Sequence, residues 1–353
     1  MTTETGISER KADHIELCAT GDVGFHTKTT LLEHVDLVHD SLPELALDEI
    51  DLSVMILGKK LRAPLIISAM TGGTARARDI NKELASIAEE RGYGFGLGSQ
   101  RAMLRGDRDD TYLVRDVAPT TLVIGNIGAV QARELSTDAV TDLVGRVGAD
   151  ALAIHMNPAQ EIVQAGGDRY FAGALGAMER LAEELEVPVM AKETGCGIGP
   201  KTARRIARAK VRHLDVSGAG GTSWVAVETE RAAPAARSLG TALREWGVPT
   251  AASVLIARKT RPRFETIIAT GGIKTGLEAA KAIAIGANAA GIARPVLQAL
   301  VSGGRAEALR FLEGVEAELR AVMLLVGAGS VRALRKADVL LSGDLPRWAA
   351  LAD

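Results

Sequence analysis

The residues that could do chemistry in this 353-residue chain stand at the ends of short apolar runs. Gly271 and Gly272 close the run ETIIATGG, and Ala293-Arg294-Pro295 close ANAAGIA. Two glycines let backbone N–H groups approach an anion, and a helix starting near Thr275 would add its N-terminal dipole. A lone Gly-Gly is often only a tight turn. With the second segment following at the right distance, a phosphate site is the better reading. Other run ends are equally polar: Ser68, Ala69, Met70 and Thr71; Ser99, Gln100 and Arg101; Asn126; His155 and Asn157 with Gln160 and Glu161; Lys192; Ser217 with Thr222. Lys192 directly follows the apolar VPVMA, which argues against an ordinary solvated lysine. Singly, most of these residues have blander readings as caps, turns or satisfied core groups.

Elements of one kind must carry them. From residue 63 onward apolar runs alternate with amphipathic stretches, as in parallel strands covered by crossover helices. Eight strand candidates occur at 63–70, 93–98, 121–128, 151–157, 187–193, 213–218, 265–272 and 287–293, with helices expected over 79–91, 137–147, 171–186, 200–209 and 275–285. The spacing predicts an α/β chain forming a single (β/α)8 TIM barrel, whose active residues belong at the C-terminal strand ends. A doubly wound open sheet is the competing architecture. Residues 1–62 read as an N-terminal extension, 63–303 as the barrel and 304–353 as added C-terminal helices. An inserted loop with at least one helix is expected within 222–264.

Composition narrows the function. A net charge of −2 gives no basic field for nucleic acid, and 3 % aromatic residues leave few platforms for stacking bases, so small-molecule chemistry is favoured. The N-terminus is polar, and the longest apolar run, Ala321 to Ala328, is too short to span a bilayer. Cys18 and Cys196 make no disulfide framework. A soluble cytoplasmic protein is expected, with neither nucleic acid nor membrane as partner.

The segment ATGGIKTG…IGANAAGIARP resembles the FMN-phosphate site of flavin-dependent barrels. RKADHI (10–15), AMTGG (69–73), GSQR (98–101), HMNPAQE (155–161), KETGCGIG (192–199) and DVSGAGGTSW (215–224) together resemble the type 2 isopentenyl-diphosphate isomerases in order and spacing. Two departures are visible: Lys274 where flavin barrels often carry Arg, and GIGP where a Ser commonly follows the Ile. The resemblance implies a 1,3-allylic proton shift converting isopentenyl to dimethylallyl diphosphate, with reduced FMN, Mg²⁺ and NADPH as reductant. It assigns Ser68, Ala69, Met70, Thr71, Ser99, Asn126, Lys192, Ser217, Thr222, Gly271, Gly272, Ala293 and Arg294 to the cofactor. Arg10, Lys11, His14, Ser99, Gln100, Arg101, His155, Asn157 and Gln160 fall to the diphosphate substrate, Gln160 and Lys192 to catalysis, and Glu161 to the metal. It also implies a homo-oligomer, tetramer or octamer. A flavin oxidase or dehydrogenase of 2-hydroxy acids and a non-catalytic phosphometabolite-binding barrel remain the alternatives.

Overall fold

The protein is described from a computed structural model covering residues 4–105 and 109–352. Ahead of the barrel come β1 (Val35–Leu37) and the hairpin β2 (Val54–Ile56) and β3 (Lys59–Leu61). Leu57 and Gly58, with φ of 48° and 82°, make the two-residue turn whose twist suits a hairpin. Eight parallel strands follow: β4 (Leu65–Ile67), β5 (Gly94–Gly96), β6 (Val123–Gly128), β7 (Ala151–Met156), β8 (Val189–Glu193), β9 (His213–Asp215), β10 (Thr266–Ala269) and β11 (Ala289–Ile292). They close in chain order, β11 pairing β4 through Gly291 and Ile66, so the sheet is a barrel and not an open doubly wound sheet. All eight fall within the expected runs.

Their residues are buried on both faces, which is why they read as continuous apolar runs. The helix Thr137–Val147 illustrates the outer layer. Ser136 caps it by accepting from the Ala139 N–H, Val140, Leu143, Val144 and Val147 form its buried stripe, and Gly148 ends it at φ 60°.

Three features go beyond the sequence reading. Residues 222–264, where an inserted loop with at least one helix was expected, hold three helices, Trp224–Arg231, Pro234–Leu243 and Thr250–Lys259. Every residue from Thr250 to Ala257 is buried, so the last of these has no polar face to give it a helical period. The N-terminal extension is also structural: Ile56, Leu57 and Leu61 of the hairpin pack against Leu122, Ala151 and Ala289 at the beginnings of barrel strands, closing the end opposite the strand C-termini. Finally, the helical stretch Arg294–Leu325 is broken at the non-helical Gly303 and Gly304, where the barrel was expected to end, and an unexpected strand, β12 (Val339–Leu341), pairs antiparallel with β1. The two terminal extensions thus share one small sheet. The helix Glu4–Thr20 lies at the barrel mouth, and no helix among the described residues is long and apolar enough to cross a membrane.

Candidate active site

A cavity of about 440 Å³ opens at the C-terminal ends of the strands, roofed in part by the N-terminal helix through Arg10, Lys11, His14 and Cys18. Every site residue singled out from the sequence lines it except Gln100.

The wall after β10 and β11 is built of backbone. Gly271 and Gly272 have φ of 98° and 77°, and a Cβ on Gly271 would stand 2.1 Å from the Gly218 oxygen, so only glycine fits. Among the described residues the N–H groups of Gly271, Gly272, Ile273, Ala293 and Arg294 have no hydrogen-bond acceptor, as an anion site requires. The expected contribution of the helix after the turn is corrected. Its first N–H groups are already taken, Lys274 and Thr275 by the Glu278 carboxylate and Gly276 by Glu318 at 2.7 Å. An anion is left to the turn itself and to the start of the helix Arg294–Leu325. The Arg294 side chain is committed elsewhere: Nε donates to Cys18 O at 2.9 Å and a terminal nitrogen to Gly21 O at 2.6 Å. It ties the N-terminal helix to the turn side of the mouth.

Beneath the cavity lies a buried charge pair. Lys192 at the end of β8 donates to Asp215 at the end of β9, Nζ to Oδ2 2.7 Å, with side-chain exposures of only 9 % and 5 %. The Asp215 Oδ1 accepts from the Thr270 hydroxyl and from the Ser217 N–H. Ser68 Oγ is buried with no partner among the described residues, and a Cβ on Gly291 would lie 2.3 Å from it. The orphaned hydroxyl, the free N–H groups and the steric clearance at Gly271 and Gly291 fit a phosphorylated, hydrogen-bonding cofactor such as FMN.

The opposite wall is built of side chains. His155 Nδ1 meets Asn126 Oδ1 at 2.7 Å, while the Asn126 amide nitrogen donates to Leu97 O at 3.1 Å, which assigns the proton to Nδ1. Burial, with Lys192 and Arg101 nearby, lowers the imidazole pKa to about 4, so it is neutral. Gln100 is fully buried behind this pair; its Oε1 accepts from the Asn126 N–H at 2.8 Å. It therefore braces Asn126 and His155 and does not face substrate, a correction to the sequence reading. The short helix Pro158–Val163 presents Gln160 and Glu161. Asn157 Nδ2 donates to both, at 3.2 Å and 3.0 Å, and Glu161 Oε2 accepts from the Asp168 N–H at 2.7 Å.

Cations converge from two elements. Lys11 donates to the Tyr112 hydroxyl at 2.6 Å, and burial, with Arg10 and Arg101 adding repulsion, brings its pKa down to about 7. Arg10 is likewise lowered, by burial first, and its Nε is buried without a partner among the described residues. Lys11 also donates to Ser99 O at 3.3 Å and Arg101 stands 3.9 Å from Asp168, so the cluster is only partly compensated and fits an anionic ligand. His14 pairs with Glu228 at 2.8 Å, and Glu228 also accepts from Gln160 at 3.2 Å and Arg231 at 3.1 Å.

Sequence reasoning missed Asp215, Glu228, Tyr112 and Gln131, all four buried or lining the mouth. Asp215 heads the quoted DVSGAGGTSW and could have been read as the partner of Lys192; Glu228 and Tyr112 gave no signal. Burial pushes the Cys196 thiol up, with Glu193 adding to the effect, in keeping with a packing role.

The profile of the FMN-dependent dehydrogenase family matches residues 132–341. An isopentenyl-diphosphate delta-isomerase of Methanothermobacter thermautotrophicus is 43 % identical over 97 % of this chain and 95 % of its own length. One from a Synechococcus species is 44 % identical over 96 % and 98 %. Among solved structures, a sulfite-bound flavocytochrome b2 variant superposes with a TM-score of 0.68 at 17 % identity, covering 94 % of this chain and 83 % of that one. A lactate oxidase of Pediococcus acidilactici gives 0.65 at 15 % identity, over 97 % and 95 %. These distant likenesses concern the fold, whereas the close relatives match almost end to end: the chain belongs to the isopentenyl-diphosphate delta-isomerase family, within the FMN-dependent dehydrogenase fold.

Proposed function

We propose that the protein interconverts isopentenyl and dimethylallyl diphosphate by a 1,3-allylic proton shift, in isoprenoid biosynthesis. The observation that carries this reading is one cavity with two anion-binding walls: the glycine turn for the FMN phosphate, and Arg10, Lys11 and Arg101 for a diphosphate. Bound reduced FMN would supply an electron-rich surface and an exchangeable proton beside the alkene. The chain's own groups do the rest. Arg10, Lys11, Arg101, His14 and Asn157 hold the diphosphate, with the neutral His155 closing the same wall and Ser99 nearby. Glu161 offers one carboxylate to Mg²⁺, which commonly bridges phosphates through one or two such groups. Gln160, neutral and held by Asn157 and Glu228, orients the alkene end and relays a proton. Lys192 supports the reduced flavin, while Ser68, Ala69, Met70, Thr71, Asn126, Ser217 and Thr222 line its binding face.

A 2-hydroxy-acid oxidase would need a proton-abstracting His beside an Arg beyond β9 or β10. Among the described lining residues these strand ends offer Ser217 and Thr270 instead. We further propose NADPH as reductant, a cytoplasmic location and a tetrameric or octameric assembly. The exposed Val38, Leu42 and Leu340 at the β1–β12 sheet support association.

The test is direct. Purified protein is expected to be yellow, to bleach with dithionite, and then to convert isopentenyl diphosphate when Mg²⁺ is present. A colourless protein that takes up no FMN would overturn the reading.

A further inference from the structure

We infer that Asp215 is a positioning residue that keeps the Lys192 ammonium at the floor of the flavin site. The inference rests on the flavin reading above and concerns a residue that reading does not use. Lys192 and Asp215 are register partners on the adjacent parallel strands β8 and β9, so their Cα atoms face one another and the 2.7 Å contact is set by the barrel. Asp215 is held from its other side: the hydroxyl of Thr270, the residue after β10, and the Ser217 N–H both donate to Oδ1, leaving Oδ2 for the lysine. Residues at the C-terminal ends of three consecutive strands thus fix one carboxylate.

The carboxylate does not line the mouth cavity. It lines a small void directly beneath, which it shares with Ser68, Asn126 and Lys192, and of the pair only Lys192 reaches both spaces. Asp215 therefore acts through Lys192 and not on a ligand. A buried ammonium is stable only when paired. Without Asp215 it must shed its proton or swing toward water, and in either case the cation leaves the place where the flavin would sit.

Among the described residues, no neighbour offers another free carboxylate in place of Asp215. His155, the register partner of Lys192 on β7, is neutral. The Glu193 carboxylate is turned into its own loop, where Oε2 accepts from the N–H groups of Thr194, Gly195, Cys196 and Gly197. Arg101 and Lys11 bring no negative charge.

The experiment follows the spectrum of bound, dithionite-reduced FMN against pH in the wild type, Asp215→Asn, Lys192→Met and the double variant. A fixed cation favours the ionised reduced flavin. Asp215→Asn should therefore raise the pH midpoint of that ionisation by at least about one unit, a tenfold change. Lys192→Met should give the same shift, and the double variant no further shift, since both act through one cation. Asp215→Ser, neutral and smaller, serves the same readout if the Asn variant folds poorly. A midpoint in Asp215→Asn that is unchanged, or that moves down as it would if Asp215 merely neutralised Lys192, overturns the inference. Failure of the wild type to bind FMN would instead sink the flavin reading itself.

Discussion

The two walls of the mouth are made of different material. The wall after β10 and β11 offers backbone N–H groups, fixed by strands and by glycines that no other residue can replace. The facing wall offers long side chains from the extension, Arg10 and Lys11, together with Arg101, docked by Glu228, Tyr112 and Arg294. A backbone cradle is preorganised and barely adjustable, suiting a cofactor that stays. Side-chain cations on a docked helix lose rotamer freedom when they bind and can release what they hold, suiting a substrate that must leave. On the proposed function, the difference would assign retention and turnover to separate parts of one cavity.

Mutations can break that division. The largest effect is expected from Gly271→Ala, whose Cβ would lie 2.1 Å from the Gly218 oxygen. The clash and the strained φ together should weaken FMN by roughly 100-fold or more, read by flavin fluorescence titration; stoichiometric FMN in this variant would show that the turn is not the anchor. Next, Gln160→Ala should reduce turnover roughly 10²- to 10³-fold, the usual range for a proton-transfer group, while flavin content stays at wild-type level. Full activity would remove Gln160 from the chemistry. Glu161→Ala should abolish the response to added Mg²⁺, and an unchanged Mg²⁺ titration would contradict its role.

The substrate wall should answer differently. Arg10→Ala is expected to raise KM for isopentenyl diphosphate roughly 10- to 100-fold, the value of a charge-assisted contact, with FMN affinity untouched; a parallel loss of flavin would erase the distinction between the walls. The smallest effect is a pH limb. With its pKa brought down to about 7, Lys11 is a cation below that pH and neutral above it. The kcat/KM should therefore fall severalfold as pH rises from about 6 to 8, and Lys11→Arg should flatten the fall because arginine keeps its proton.

How much of this was legible depended on whether the determinant was local. The eight strands stood out because both their faces are buried, and the helix Thr137–Val147 because Ser136 and Gly148 mark its ends. The glycine turn was legible for the same reason: its requirement is conformational and lies within the segment. The helix Thr250–Lys259 was not, since uniform burial erases its period. Gln100 looked like a site residue because it stands between two residues that line the cavity, but its direction is set by Asn126, on the next strand. Glu228 reads in isolation as a charge on a solvated helix. Its role comes from His14, 214 residues away, and from Gln160. Pairings of that range depend on the closed barrel, and no spacing in the chain announces them.

The central claim, redox-neutral isomerisation of a diphosphate on reduced FMN, is tested most directly by anaerobic turnover with photoreduced FMN, Mg²⁺ and no nicotinamide. The account predicts sustained conversion of isopentenyl to dimethylallyl diphosphate, many turnovers per flavin, with the flavin still reduced at the end. No conversion despite bound reduced flavin, or flavin oxidation in step with product, would contradict it.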